Sequence, residues 1–307
     1  MSAPAPRTLL VSGASGLIGR RLLAGLGDDV RVRALTRDPG RARLDARGRE
    51  PVAWDGRHAP AEALAGADTI VHLAGEPLFG GLPTPSRMRR IRASRVDSTR
   101  AFVAGIAALP AEQRPRALLC AAAVGIYGDR GEEELSERSP AGTGFLAELC
   151  RDWETSAMGA GAYGVRVVCL RFGIVLAREG GALPLMARIF GLGLGGRLGS
   201  GRQWVPWVHV DDAVALVRLA LDDAAVRGAM NVVAPGCVRN AELTRALAEQ
   251  LGRPARLPAP ALAVRLALGP LAGELLGSRH AVPARALAAG HRFAQPELTG
   301  ALARELG

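Results

Sequence analysis

The stretch Thr8-Leu9-Leu10-Val11-Ser12-Gly13-Ala14-Ser15-Gly16-Leu17-Ile18-Gly19 constrains this chain more than any other. Its apolar run reads as a buried strand. Glycines follow at G-x-x-G-x-x-G spacing, and each meets a separate steric demand. Gly13 lets the chain turn sharply out of the strand, Gly16 lets a pyrophosphate approach a backbone with no Cβ, and Gly19 lets the following helix pack close to the strand. Ile18, Leu22 and Leu26 recur at helical spacing, which gives that helix one apolar face. The unpaired amides and positive dipole end of its first turn then face the phosphates. A glycine triplet alone is weak evidence; between a strand and a helix it is a dinucleotide-binding turn. The candidate contacts here are Gly13, Ser15, Gly16, Leu17, Ile18 and Gly19.

The rest of the first half repeats strand and helix, the pattern of a parallel sheet covered on both faces. Residues 30–36 alternate apolar residues with arginine and read as the second strand, ending Thr36-Arg37-Asp38. At that point an acidic residue binds the adenosine ribose, whereas an arginine accommodates a 2′-phosphate. Arg37 takes the place, with Thr36 beside it, and favours NADP(H) over NAD(H), although Asp38 follows immediately and could still reach the ribose. Residues 52–54 form a short strand before Asp55, a candidate near the adenine. Thr69 to Leu73 is a further strand, and its small-residue end, Leu73-Ala74-Gly75, lets a cofactor come close. His72 within it is expected to be buried and hydrogen bonded. One long helix is expected over 86–109, a fifth strand over 117–124, an exposed acidic loop over 129–143, a helix with Phe145, Leu149 and Trp153 on one face, and a sixth strand over 165–170.

The chain has 307 residues, 49% hydrophobic and 22% charged, enough for a large core and two domains. Its formal charge is +10, and all 39 basic residues are arginine. They are scattered, without a basic tract, which argues against a nucleic-acid surface. A positive field favours anionic ligands, a dinucleotide or an anionic small-molecule substrate among them. Cys120, Cys150, Cys169 and Cys237 form no C-x-x-C pair and fit reduced thiols in a cytoplasmic protein. Residues 1–7 carry no apolar signal core, and no apolar run approaches the ~20 residues that span a bilayer, so no membrane partner is expected.

Beyond residue 176 the texture changes to glycine-rich and proline-punctuated segments. Asp211 or Asp212 reads as the N-cap of a helix over 213–221, and Gly228 to Val233 as a last strand. The expected fold is α/β, a doubly wound Rossmann-type parallel sheet with a smaller C-terminal cap domain. Residues 1–176 plus about 206–234 make the dinucleotide-binding domain, and about 177–205 plus 235–307 the cap.

These strings, together with His72-Leu73-Ala74-Gly75-Glu76, Ser94-Arg95, Val124-Gly125-Ile126-Tyr127-Gly128, Phe145 to Glu154, Arg171 to Leu176 and Asn231 to Pro235, resemble the extended short-chain dehydrogenase/reductase and sugar-nucleotide epimerase superfamily. More narrowly, the chain resembles an atypical branch of "epimerase family" proteins with a C-terminal domain of unknown function. The resemblance implies NADP(H) binding and hydride transfer on a small polar substrate, with Arg95 and Ile174 among the cofactor contacts. It also implies a Ser after the fifth strand and a Tyr-x-x-x-Lys pair on the next helix. This chain has no lysine, its tyrosines are Tyr127 and Tyr163, and the Tyr and Lys places fall on Leu146 and Cys150. The serine place lies within Cys120-Ala121-Ala122-Ala123, and Arg95 stands where the superfamily has Asn. Cys150, whose thiol a nearby Arg95 would make more acidic, and Tyr127 are the expected proton donors. The alternative is a non-catalytic NADP(H)-binding sensor or scaffold.

Overall fold

The computed structural model of the chain describes residues 7–41 and 49–307, so the reading of residues 1–6 lies outside the described residues. Seven parallel strands form the central sheet: β1 (Arg7–Ser12), β2 (Val30–Thr36), β3 (Arg49–Ala53), β4 (Thr69–His72), β5 (Ala117–Ala123), β6 (Arg166–Phe172) and β7 (Gly228–Val232). Their order is β3-β2-β1-β4-β5-β6-β7. The order reverses between β1 and β4, where Ser12 lies beside His72. Ligands of doubly wound sheets bind at such a reversal, outside the carboxyl ends of the strands.

Helices cover both faces. α1 (Leu17–Ala24) packs on one, and α2 (Pro85–Arg92), α3 (Ser98–Ala108) and α4 (Phe145–Met158) on the other; α5 (Val210–Asp222) returns to the α1 side. Leu22, Leu23, Leu216 and Val217 fill the first layer, and Ile91, Phe102, Ile106, Leu149 and Trp153 the second. Burial on both faces explains why β4 and β5 are apolar almost throughout. Truncating the fully buried Phe102 to alanine would cost ~3–5 kcal/mol.

The structure departs from the sequence expectations in three places. The single helix expected over 86–109 is broken by a π-turn, Ala93–Asp97, between α2 and α3. Hydroxyls C-terminal to it take up loosened carbonyls: Ser98 Oγ donates to Ser94 O at 2.8 Å and Thr99 Oγ1 to Arg95 O at 2.6 Å. Neither Asp211 nor Asp212 caps α5. His209 does, accepting from the Asp211 amide, because the Asp212 carboxylate is turned inward to the amides of Ala294 and Gln295 at 2.7 and 2.9 Å. The acidic loop 129–143 is not wholly exposed; Glu134–Leu135 pairs with His280–Ala281 and buries Leu135.

The C-terminal region packs around its own apolar cluster, with Leu183, Phe190, Trp207, Leu243, Leu247 and Leu302 at its centre. It is fastened to the loop after β5 by Arg279, whose Nε donates to Gly128 O at 3.1 Å. The short helix Ala272–Leu276 thereby overhangs the carboxyl ends of β4 and β5.

Candidate functional site

The glycine turn has the geometry its spacing predicts. Gly13 has φ +75°, and a Cβ there would lie 2.8 Å from Ala74 N and from Leu73 C, so β4 closes against it. A Cβ on Gly19 would lie 2.2 Å from Gly13 O, which excludes any side chain. Gly16 differs: a Cβ there would meet only Gly13 O, at 3.2 Å, and the residue is exposed with Ser15. That approach is tight but confined to one backbone oxygen, which leaves the solvent side of Gly16 open to a ligand. The first turn of α1 carries no acidic residue, and its leading amides face the same space. A dinucleotide's phosphates fit this cradle.

Thr36 closes β2 with Arg37 directly after it, and Trp54 N donates to Thr36 O at 2.8 Å, so Asp55 stands beside Arg37 at the rim. Arg37 is exposed, and among the described residues nothing is hydrogen bonded to its guanidinium. The Asp55 carboxylate is occupied by its own turn, accepting from the amides of Arg57 and His58 at 2.7 and 2.8 Å, which holds it well below the usual carboxylate range.

Beneath Ala74 runs a sealed polar chain. His72 is fully buried against Trp54 and Phe102, with ring centroids 6.1 and 4.7 Å away. Burial pushes its imidazole down to about 3, so it is neutral. Its Nδ1 pairs with Ser12 Oγ at 2.6 Å, and its Nε2 with Ser98 Oγ at 3.1 Å. Because Ser98 already donates to Ser94 O, the ring proton sits on Nε2 and Ser12 donates to Nδ1. His72 thus ties the end of β1 to the π-turn and has a structural place.

A cleft of about 210 Å³ opens where β4, β5, α4 and the C-terminal region meet. Leu73, Ala74, Gly75, Arg95 and Cys150, all expected site residues, line it. Leu146, at the tyrosine place, is also in the wall, as is Glu274 from the C-terminal region. Arg95 comes from the π-turn, which directs its guanidinium over Gly75; a Cβ on Gly75 would stand 3.4 Å from Arg95 Cζ. Its Nη1 donates to Glu76 O at 2.9 Å and Ile91 O at 3.2 Å, and its Cζ lies over the Trp153 ring, 5.3 Å from the ring centre. Glu274 pairs with Arg279 at 3.5 Å. It was missed by sequence reasoning, being one acidic residue in a proline-punctuated helical stretch with no motif around it.

The two expected proton donors part company. Cys150 is in the cleft, but Arg95 does not acidify it on balance. Burial first, then Glu274 and Glu154, push its thiol up to about 12, against the smaller pull of Arg95 and Arg279. Tyr127 is not in the cleft wall. Its hydroxyl is buried, donates to Asn231 Oδ1 at 2.7 Å with Ser136 O 3.0 Å away, and accepts from Arg171 Nη1 at 2.9 Å. Burial, the largest influence, raises the phenol. Arg171 also grips Glu154 through Nε and Nη2 at 2.7 and 2.8 Å. Ile174 opens a short strand beyond β6 and lines a smaller recess behind Glu274.

Fold and glycine turn together define an α/β protein of the dinucleotide-binding Rossmann class with a C-terminal extension over the strand ends. More closely, the chain belongs to the NAD dependent epimerase/dehydratase family, whose model matches residues 9–233, and residues 259–305 match a domain of unknown function, DUF1731. It is 38% identical over 289 residues to an epimerase family protein SDR39U1 homolog, chloroplastic, of Arabidopsis thaliana, covering 93% of this chain and 83% of that one. The crystal structure of human epimerase family protein SDR39U1 (isoform 2) with NADPH superposes with a TM-score of 0.85 at 32% identity, over 97% of this chain and 99% of that one. A nucleoside-diphosphate sugar epimerase from Corynebacterium glutamicum gives a TM-score of 0.78 at 36% identity, over 98% of this chain and 58% of that one. Among the described residues no helix is long and apolar enough to cross a membrane, and no group of three or more His, Cys, Asp or Glu side chains could hold a metal ion.

Proposed function

We propose that the protein binds NADP(H) in preference to NAD(H) and transfers hydride between it and a small polar substrate in the Arg95–Cys150–Glu274 cleft. The observation that carries this reading is the exposed Gly16 turn at the β1/β4 reversal, where Gly13 packs against Leu73 and Ala74, two residues that also line the cleft at the end of β4. Gly13, Ser15, Gly16, Leu17, Ile18 and Gly19 would hold the phosphates. Thr36, Arg37 and Asp55 would frame the adenosine end, with Arg37 on the 2′-phosphate. Leu73, Ala74, Gly75 and Ile174 would line the path to the nicotinamide. The NADPH in the human relative's structure supports the choice of cofactor. In this reading residues 1–176 with about 206–234 are the cofactor domain and the remainder a cap, and the four free thiols suit a cytoplasmic setting.

A bound NADPH supplies the hydride; the chain must handle the proton. Cys150 stays protonated far above neutrality, and the Tyr127 hydroxyl is spent on its own buried partners. Glu274 is the carboxylate in the cleft wall, and we assign proton exchange with the substrate oxygen to it. Calorimetry with NADPH tests the binding half: the parent binds and Gly16→Asp does not, while remaining folded. A carbonyl and sugar-nucleotide panel tests the catalytic half, with Glu274→Gln expected to lose turnover at unchanged NADPH affinity. The second reading, a non-catalytic sensor or scaffold, draws on the apolar Leu146 and protonated Cys150 at the Tyr and Lys places. It stands if no panel member changes bound NADPH.

A further inference from the structure

Arg95 carries the one positive charge in the wall of the cleft. Its guanidinium is used on one side only. Nη1 donates to Glu76 O, Ile91 O and Ser94 Oγ, at 2.9, 3.2 and 3.4 Å. Nε and Nη2 have no acceptor among the described residues, and no carboxylate lies within 4.0 Å of the group. Neither nitrogen is sealed in. Among the described residues the buried side-chain polar atoms that lack a partner are Trp54 Nε1, Arg87 Nε and His291 Nε2, and Arg95 contributes none of them.

The same edge of another arginine in this molecule holds a carboxylate. Arg171, one strand over, uses Nε and Nη2 to hold both oxygens of Glu154, at 2.7 and 2.8 Å. This fork matches the two oxygens of a carboxylate. Around Arg95 the fork is held in place by the bonds Nη1 donates to Glu76 O and Ile91 O and by the Trp153 ring, and its Nε/Nη2 edge has no acceptor among the described residues. Holding a guanidinium among Leu73, Ala122, Leu146 and Phe172 without a counter-ion is costly, and an arriving anion recovers that cost in a weakly screening environment. The cofactor's pyrophosphate is not that anion in the reading above, since its cradle is at Gly16 and the α1 amides, none of which lines this cleft. The cleft, at about 210 Å³, is below the ~300–1,000 Å³ of pockets for drug-sized ligands.

We propose that the Nε/Nη2 edge of Arg95 is a substrate-anchoring fork, and that the substrate class is a small carboxylate with its reacting carbon a few bonds from the carboxyl group. This rests on the proposed cofactor site only for the position of the nicotinamide end; the anion site itself exists with or without cofactor.

Fluorine NMR of trifluoroacetate, with uncharged trifluoroacetamide as the isosteric control, tests it on the full chain with and without saturating NADPH. Trifluoroacetate broadens with the parent and with the surface control Arg92→Gln, whose arginine pairs with Asp152. Its affinity falls tenfold or more in Arg95→Gln, and trifluoroacetamide does not broaden. Arg95→Lys keeps the charge, loses the fork and binds more weakly than the parent; it also serves if Arg95→Gln does not fold by circular dichroism. Unchanged trifluoroacetate affinity in Arg95→Gln, equal binding in Arg95→Lys, or equal binding of the amide overturns the proposal. So does competition between trifluoroacetate and NADPH with loss of NADPH affinity in Arg95→Gln, which would assign the fork to the cofactor. A parent that binds trifluoroacetate but not NADPH defeats the cofactor reading and leaves the fork standing.

Discussion

Arg95 Nη1 donates a 2.9 Å hydrogen bond to the carbonyl oxygen of Glu76, so a helix residue holds the chain just past β4. The bond exists because the helix is not regular there. The π-turn over Ala93–Asp97 swings Arg95 across Gly75, and Ser94 Oγ reinforces it by accepting from Glu76 N at 2.9 Å. Such single-turn π segments are common at functional sites. Here one sets the wall of the cleft beside the end of β4.

The buried His72 makes stability fall with acid in a defined window. Its imidazole is near 3 when folded and ~6.5 when unfolded, so the unfolded chain binds the extra proton between these values. Stability from this group is therefore intact above pH ~6.5 and is lost as pH falls toward 3, by up to ~1.4 kcal/mol per pH unit. Denaturant unfolding of parent and His72→Asn across this range should show a shallower slope in the variant. Parallel slopes would count against a neutral, buried His72.

Removing the Tyr127 hydroxyl is expected to cost stability and not cofactor. Tyr127→Phe leaves Asn231 Oδ1 and Arg171 Nη1 short of a partner in a buried network, at ~1–3 kcal/mol. Urea unfolding measures the loss, and NADPH titration should show affinity within about twofold of the parent, since ~0.4 kcal/mol is the most that ratio represents. A stable variant with weakened NADPH binding would place the hydroxyl at the site after all.

Cys150 should behave as a thiol, not a thiolate. With burial holding it up to about 12, its alkylation by iodoacetamide in the folded protein, followed on its own peptide by mass spectrometry, should show no inflection between pH 7 and ~10. An inflection near the ordinary cysteine value of ~8.5 would restore it as a proton donor.

Much of this was legible in the sequence, and the gaps have physical causes. Gly13 and Gly19 announce their geometry because only glycine meets those contacts, and the apolar runs of β1, β4 and β5 announce a sheet buried on both faces. The π-turn has no periodic signature; it follows from the Ser98 and Thr99 hydroxyls taking carbonyls that a regular helix would use. Glu274 reaches Gly125 and Cys150 from a segment far along the chain, and only the packing of the C-terminal region brings it there. Asp212 was misread as a cap because its true partners, the amides of Ala294 and Gln295, are equally distant in sequence.

The most direct test of the central claim is a paired titration of NADPH and NADH by calorimetry on the parent and on Arg37→Ala. A 2′-phosphate held by the exposed Arg37 predicts tighter NADPH binding in the parent, a preference reduced roughly tenfold or more in Arg37→Ala, and nearly unchanged NADH affinity, as the loss of a charged hydrogen bond worth ~1.5–3 kcal/mol requires. Equal affinities for the two cofactors in the parent, or no binding of either, would contradict the account.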